Sequence, residues 1–190
     1  MHGHDLFRSD LLRGRTVLAA GAVASACRAL GASVAALDAD PLDETAVTEA
    51  VARLADEHGG LDAVVDDAAA RFAATVTGGD ADPLAPLRAA ADGAWLVARA
   101  AATQAMIDAP QGGKLIFLAP APDAGPHAGA TRAALENLAR TLSVEWARHG
   151  VRPTALAPGR AGDPQQLAAL AAFLVSAAGD YYSGCVFSLR

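Results

Sequence analysis

The chain has 190 residues, 53% of them hydrophobic and 19% charged, which is enough for one packed domain and too apolar for disorder. Its formal net charge of -6 excludes the positive field that nucleic acid or an anionic membrane surface would require. Two cysteines, Cys27 and Cys185, form neither a disulfide framework nor a four-ligand zinc set, and read as two buried thiols in a reducing compartment. No stretch reaches the roughly 18 uninterrupted apolar residues of a membrane span. The segment MHGHDLFRSD carries an early acid and no apolar run, so no signal peptide is expected, and a cytoplasmic location is.

Short β-like runs alternate with helix-length amphipathic segments, the pattern of a parallel sheet covered by helices. Residues 1–13 are expected to be a flexible N-terminal segment of a single domain spanning 1–190. Thr16–Ala20 reads as the first strand, closed by Gly21, and Ala22–Leu30 as a short helix ending at Gly31. Ala32–Leu37 is the second strand, ending in Asp38. Leu42, Ala46, Val47, Ala50, Val51 and Leu54 recur at helical spacing, with Asp43 placed as the cap and Gly59-Gly60 as the stop. Glu49–Arg53 and Arg53–Glu57 are i,i+4 pairs on that helix. Leu61–Val65 is a third strand running into Asp66-Asp67, and residues 71–83 read as a loop. A long helix follows over 86–107, then a buried strand over 114–118 and a Pro/Gly loop over 121–129. The remainder predicts a helix over 131–148, a strand over 151–157, a Pro158-Gly159 turn, a last helix over 164–177 and a last strand over 185–189.

Composition also limits chemistry. The only tyrosines are the adjacent Tyr181 and Tyr182, the only lysine is Lys114, and the only asparagine is Asn137. A mechanism that needs Tyr and Lys one helical turn apart is therefore excluded. Asp62, Asp66 and Asp67 read as a strand-end turn with Asx-type hydrogen bonds rather than a metal site, because strand alternation sends Asp66 and Asp67 to opposite faces. His2 and His4 carry no functional weight. Pro153 lies in an expected central strand, where it removes a ladder hydrogen bond and predicts local irregularity.

Four stretches, in this order, resemble the short-chain dehydrogenase/reductase family across nearly the whole chain: GGLDAVVDDAA (59–69), DGAWLVARAA (92–101), ATRAALENLARTLSVEWARHGVRPTALAPG (130–159) and AAFLVSAAGDYYSGCVFSL (171–189). The resemblance implies a Rossmann-like, doubly wound parallel sheet. Here six strands are expected, with one β-α unit and the segment that covers the substrate missing. It also implies a Tyr/Lys/Ser/Asn catalytic set, whose places fall on Ala128, Arg132, Pro120 and Ala90 in this chain. Of the cofactor-binding places only remnants are expected, at Gly21, Asp38, Asp66, Pro158 and Gly159, because Gly21 is followed directly by AVASACRAL and lacks the further glycines that let a backbone approach a diphosphate. Asp38 sits where a ribose-binding acid belongs, but reads first as a solvated strand-end acid beside Asp40.

No cofactor and no metal are therefore expected. The family's dimer helices carry Trp95 and Trp146, and its second dimer contact falls on Tyr181, Tyr182 and Phe187, all candidate interface residues. These features imply a catalytically inactive subunit that pairs, as a structural or regulatory partner, with an intact member of the family, with itself, or with both. The alternative is an NAD- or NADP-dependent oxidoreductase acting on a carbonyl or alcohol with an atypical site around Arg132 and His127. A third reading is a homodimer binding a small molecule in the emptied cleft.

Overall fold

A computed structural model describes residues 7–79, 81–160 and 162–189. Six strands, β1 (Thr16–Leu18), β2 (Ser33–Ala35), β3 (Ala63–Asp66), β4 (Gly113–Leu118), β5 (Val151–Ala157) and β6 (Cys185–Ser188), form one parallel sheet in the order β2-β1-β3-β4-β5-β6. The chain runs outward from β1 to β2, crosses back to β3, and then adds strands in one direction. The winding direction thus reverses between β1 and β3, which is where open α/β sheets form a crevice at the strand C-termini. The α/β, doubly wound architecture matches the expectation.

Alternation along the strands divides the core. Leu18, Val64, Leu115 and Phe117 face α2 (Glu44–His58), α4 (Ala85–Ala101) and α5 (Ala128–Glu145). Val17, Val65, Ile116, Leu118 and Leu156 face α1 (Gly21–Ala29) and α6 (Pro164–Val175). Both faces are covered, so the strands read as nearly continuous apolar runs. Asp43 caps α2 by accepting from the Ala46 N–H, and Gly59 ends it in the left-handed conformation, as expected. Arg53–Glu57 forms at 4.0 Å, whereas Glu44 pairs with Arg99 of α4 at 2.5 Å.

Several expectations need correction. Residues 71–83 are not all loop: Ala68–Gly78 is a helix, α3, capped by Asp67 through the Ala70 N–H and closed by left-handed Gly79. Its alanine-rich sequence hides the apolar stripe that fully buried Phe72 anchors. Of the segment expected to be flexible, residues 7–13 pack on the domain, with Leu12 fully buried and its N–H donating to Leu30, while residues 1–6 lie outside the described residues. Strand β5 runs unbroken through Pro153, which pairs in register with Leu115. Cys27 is buried, its thiol pushed up to about 11 by burial, but Cys185 on the edge strand is only half-buried. The long helix ends α-helically at Ala101 and continues through a π-turn over Ala102–Met106.

The loops before β4 and β5 cross at Gly112 and Gly150, both with positive φ, and a Cβ on Gly112 would collide with the Gly150 backbone. Neither backbone is free to move. Gly112→Ala is expected to destabilise the domain by roughly 3 kcal/mol, since strain and a backbone clash combine, as measured by urea unfolding. A change below about 0.5 kcal/mol would contradict the crossing.

Candidate functional site

The C-terminal ends of β3, β4 and β5 and the N-terminus of α5 converge at the places where the family resemblance puts its chemistry. Ala128 is the first residue of α5 and is buried; Arg132 follows one turn later on the same face. The Arg132 guanidinium meets main chain through Nη1, which donates to the Pro120 carbonyl at 2.7 Å and to the Pro158 carbonyl at 2.8 Å. It thereby ties the segment after β4 to the segment after β5. His127 precedes the helix at φ 65, the one non-glycine residue with positive φ among the described residues. Its carbonyl accepts from the Thr131 N–H and hydroxyl, and its ring is exposed. Tyr181 and Tyr182 lie beyond α6, far along the chain from α5, and Lys114 enters at the opposite, N-terminal end of β4.

The crevice beside this corner is small. A cavity of about 150 Å³ lies over the ends of β1, β2 and β3, lined by residues that include Ala20, Leu37, Pro41, Asp66 and Arg71. Two residues, Ala19 and Ala20, connect β1 to α1. Gly21 is the first residue of that helix at φ +57, and Val23 is buried. Asp38 is exposed and is not among the residues lining the cavity. Pro158 and Gly159 are half-buried, and α6 starts at Pro164 under an Asp163 cap, so only residues 158–163 separate it from β5.

Asp66 and Asp67 differ as expected, though not as two equivalent turn acids. Asp67 is the cap of α3. Asp66 is buried and accepts from Arg71 Nη2 at 2.6 Å, while Arg71 Nε donates to the Ala89 carbonyl at 3.1 Å and Nη2 to that of Ala90 at 3.4 Å. Gly93 makes room for this arm, since a Cβ there would lie 2.8 Å from Arg71 Nε. Buried Ala90 thus meets the arginine through its carbonyl. Arg71 was missed in the sequence, although an arginine five residues after a strand-end acid is a recognisable partner. Asp62 also leaves the expected group: it accepts from Arg15 at 2.9 Å and from the Thr16 N–H at 2.7 Å, at the other edge of the sheet.

Of the interface candidates, Trp95 on α4 and Trp146 after α5 stack on each other, with centroids 6.2 Å apart at 14°. Trp95 remains 38% exposed, with the Arg99 guanidinium 6.0 Å from its ring centroid. Tyr182 packs within the chain, edge-on to Phe187 at 5.1 Å and tilted against Phe173 at 6.3 Å; Tyr181 is 90% exposed. Among the described residues no three His, Cys, Asp or Glu side chains converge to hold a metal ion, and no helix is long and apolar enough to cross a membrane.

Burial pushes the Asp66 carboxyl above its usual range, with Arg71 pulling against it. A carboxyl raised in this way contributes most stability below its unfolded value and loses that contribution as pH rises through the folded one. Arg71→Met removes the opposing charge. It should destabilise by about 3 kcal/mol at pH 8, where the buried carboxylate is left unpaired, and by clearly less at pH 4, as read by urea unfolding at the two pH values. Equal losses at both would refute the pairing.

Comparison with known proteins agrees with the geometry. Residues 13–160 match the family model described as Enoyl-(Acyl carrier protein) reductase. A probable (2E)-enoyl-CoA-producing 2,4-dienoyl-CoA reductase of Bacillus subtilis (strain 168) is 29% identical over 191 aligned positions, 80% of this chain and 73% of that protein. A galactitol 2-dehydrogenase (L-tagatose-forming) of Cereibacter sphaeroides is 32% identical over 87 residues, and the match spans only 34% of its length. Among solved structures, a citronellol catabolism dehydrogenase of Pseudomonas aeruginosa PAO1 superposes with a TM-score of 0.77 at 26% identity, covering 97% of this chain and 96% of that one. A short chain dehydrogenase from Mycobacterium smegmatis shares the fold with a TM-score of 0.78 at 24% identity, covering 95% of this chain and 93% of that one. With four-fifths of its length matched by one relative and the family model running from β1 to β5, the chain belongs to the short-chain dehydrogenase/reductase family.

Proposed function

We propose that this chain is a catalytically silent member of its family that works by association, as the structural or regulatory partner of an intact family subunit. The observation that carries this reading is the Arg132 tie. The side chain standing where the family's lysine is expected commits its Nη1 to the Pro120 and Pro158 carbonyls, one turn after an alanine in the expected place of the phenol. No hydroxyl side chain stands at 120 or 128 to relay a proton. The cofactor implied by the family, NAD or NADP, does not fit the crevice. A ligand pocket of ordinary size is about 300–1,000 Å³, against about 150 Å³ here, and the β1–α1 connection, Ala19-Ala20, has no glycine, Gly21 being the first residue of the helix. No step is therefore routed through a nicotinamide.

Association is supported by the exposed apolar groups on the paired helices α4 and α5. Val144 is 76% exposed and Trp95 38%, on the elements that the resemblance assigns to dimerisation, and aromatic residues of this kind anchor interfaces.

The strained backbone at His127 favours a second reading, an NAD(P)-dependent oxidoreductase with an atypical site, because such strain concentrates at functional positions. Calorimetric titration with NAD(H) and NADP(H) separates the two. No saturable binding is expected up to about 1 mM, and a dissociation constant near 1 μM would replace the first reading with the second. Co-expression with an intact reductase of the family should give a mixed oligomer by native mass spectrometry. Val144→Asp should dissociate that oligomer without altering the circular dichroism of the chain. A monodisperse monomer indifferent to the partner would refute association.

A further inference from the structure

The N-terminal edge of the sheet carries a second polar site, on the opposite side of the molecule from the family's cleft. A half-open cavity of about 570 Å³ lies there, and its charged lining comprises Arg15, Asp62, Lys114, Arg148, Arg152 and Asp180, with His149 beside them. These residues come from the starts of β1, β4 and β5, from the ends of the connections into β3 and β6, and from the turn after α5. The fold rather than the chain order assembles them.

Both carboxylates are already committed. Asp62 receives Arg15 Nη1 at 2.9 Å and the Thr16 N–H at 2.7 Å. Asp180 receives Lys114 Nζ at 2.7 Å. Lys114 is itself buried, donates to the Val175 carbonyl at 3.1 Å and to that of Ser176, and so has no donor to spare. Two guanidinium groups remain. Arg152 gives Nη1 to the Gly150 carbonyl at 3.0 Å and Arg148 gives Nε to His149 Nε2 at 2.9 Å; neither has a carboxylate partner among the described residues. The cavity thus holds four basic side chains against two acidic ones, within a chain whose net charge is -6. Its crowding is felt by its own members: burial lowers the Lys114 ammonium, and although Asp180 opposes this, the charges of Arg15 and Arg152 push it lower still.

We propose that this cavity binds a small phosphorylated molecule, its dianionic phosphate held between Arg148 and Arg152. Two excess positive charges match a phosphate dianion, and the planar guanidinium forks pair with the edges of a tetrahedral oxyanion. The volume exceeds what a bare phosphate fills, which leaves room for the remainder of an ester. Because the site uses no residue of the α5 corner or of the crevice over β1–β3, it stands or falls independently of the catalytic reading.

Isothermal titration at constant ionic strength tests it, with inorganic phosphate, glycerol 3-phosphate and succinate as probes. Saturable binding of both phosphates at about 1 mM or tighter is expected, with the ester tighter if the spare volume is used and equal affinity assigning free phosphate instead. Arg148→Gln with Arg152→Gln should weaken phosphate binding by at least about tenfold, while the exposed control Arg28→Gln should not alter it. Circular dichroism establishes that each variant is folded, and Arg148→Gln alone, on an exposed side chain, should lose part of the affinity. Absence of saturable phosphate binding, binding untouched by the double substitution, or tighter binding of succinate than of either phosphate would overturn the proposal.

Discussion

Strand β4 is buried along its whole length, and its two ends are the points on which the rest of the molecule turns. A parallel sheet covered on both faces is apolar along its strands, and the buried charged side chains of β3 and β4, Asp66 and Lys114, lie near strand termini, where they find partners. At the N-terminal end Lys114 lies in register with Arg152 of β5 and is buried. It is neutralised there by Asp180 and by two carbonyls from the end of α6. At the C-terminal end Arg132 reaches back from α5 to the Pro120 carbonyl and across to that of Pro158. Two cations thus hold the central strands to their covering helices from opposite sides.

This economy separates scaffold from chemistry. The buried faces of α4 and α6 are largely alanine, which lets both helices lie close to the sheet. The connections that build a site at the strand C-termini are short: two residues between β1 and α1, and six between β5 and α6. The buried Asp66–Arg71 pair takes up part of the crevice that remains and ties α3 to α4. A fold with a packed core and short connections at its strand C-termini still presents surfaces, at the exposed helices α4 and α5 and at the charged cavity on the far edge.

The order of elements was legible because each strand is an apolar run of fitting length and because the helix punctuation is local. Asp43 and Gly59 bracket α2 as their side-chain and backbone chemistry requires. Helix α3 was not legible, since an alanine stretch has no contrast between faces and only burial of Phe72 selects one. The packing of Leu12 was hidden for a similar reason, because adjacent Leu11 and Leu12 in a short, largely polar segment do not tell which of the two is buried. At the family's site, the residue types at positions 90, 120, 128 and 132 could be read directly, but the bonds of Arg132 to two carbonyls could not.

The sequence by itself determined the alternation of strands and helices and the identity of the side chains at positions 90, 120, 128 and 132, because these follow from the hydrophobic period, from local capping and from residue chemistry, whereas the reversal of winding was implied only by the family resemblance. Only the tertiary structure decided which charges meet. Lys114 and Asp180, Arg15 and Asp62, and the guanidinium groups of Arg148 and Arg152, which have no carboxylate partner among the described residues, come from separate parts of the chain and carry no shared motif. They are brought to one edge because parallel strands all begin on the same side of the sheet, and that shared starting edge leaves no local trace in the order of the residues.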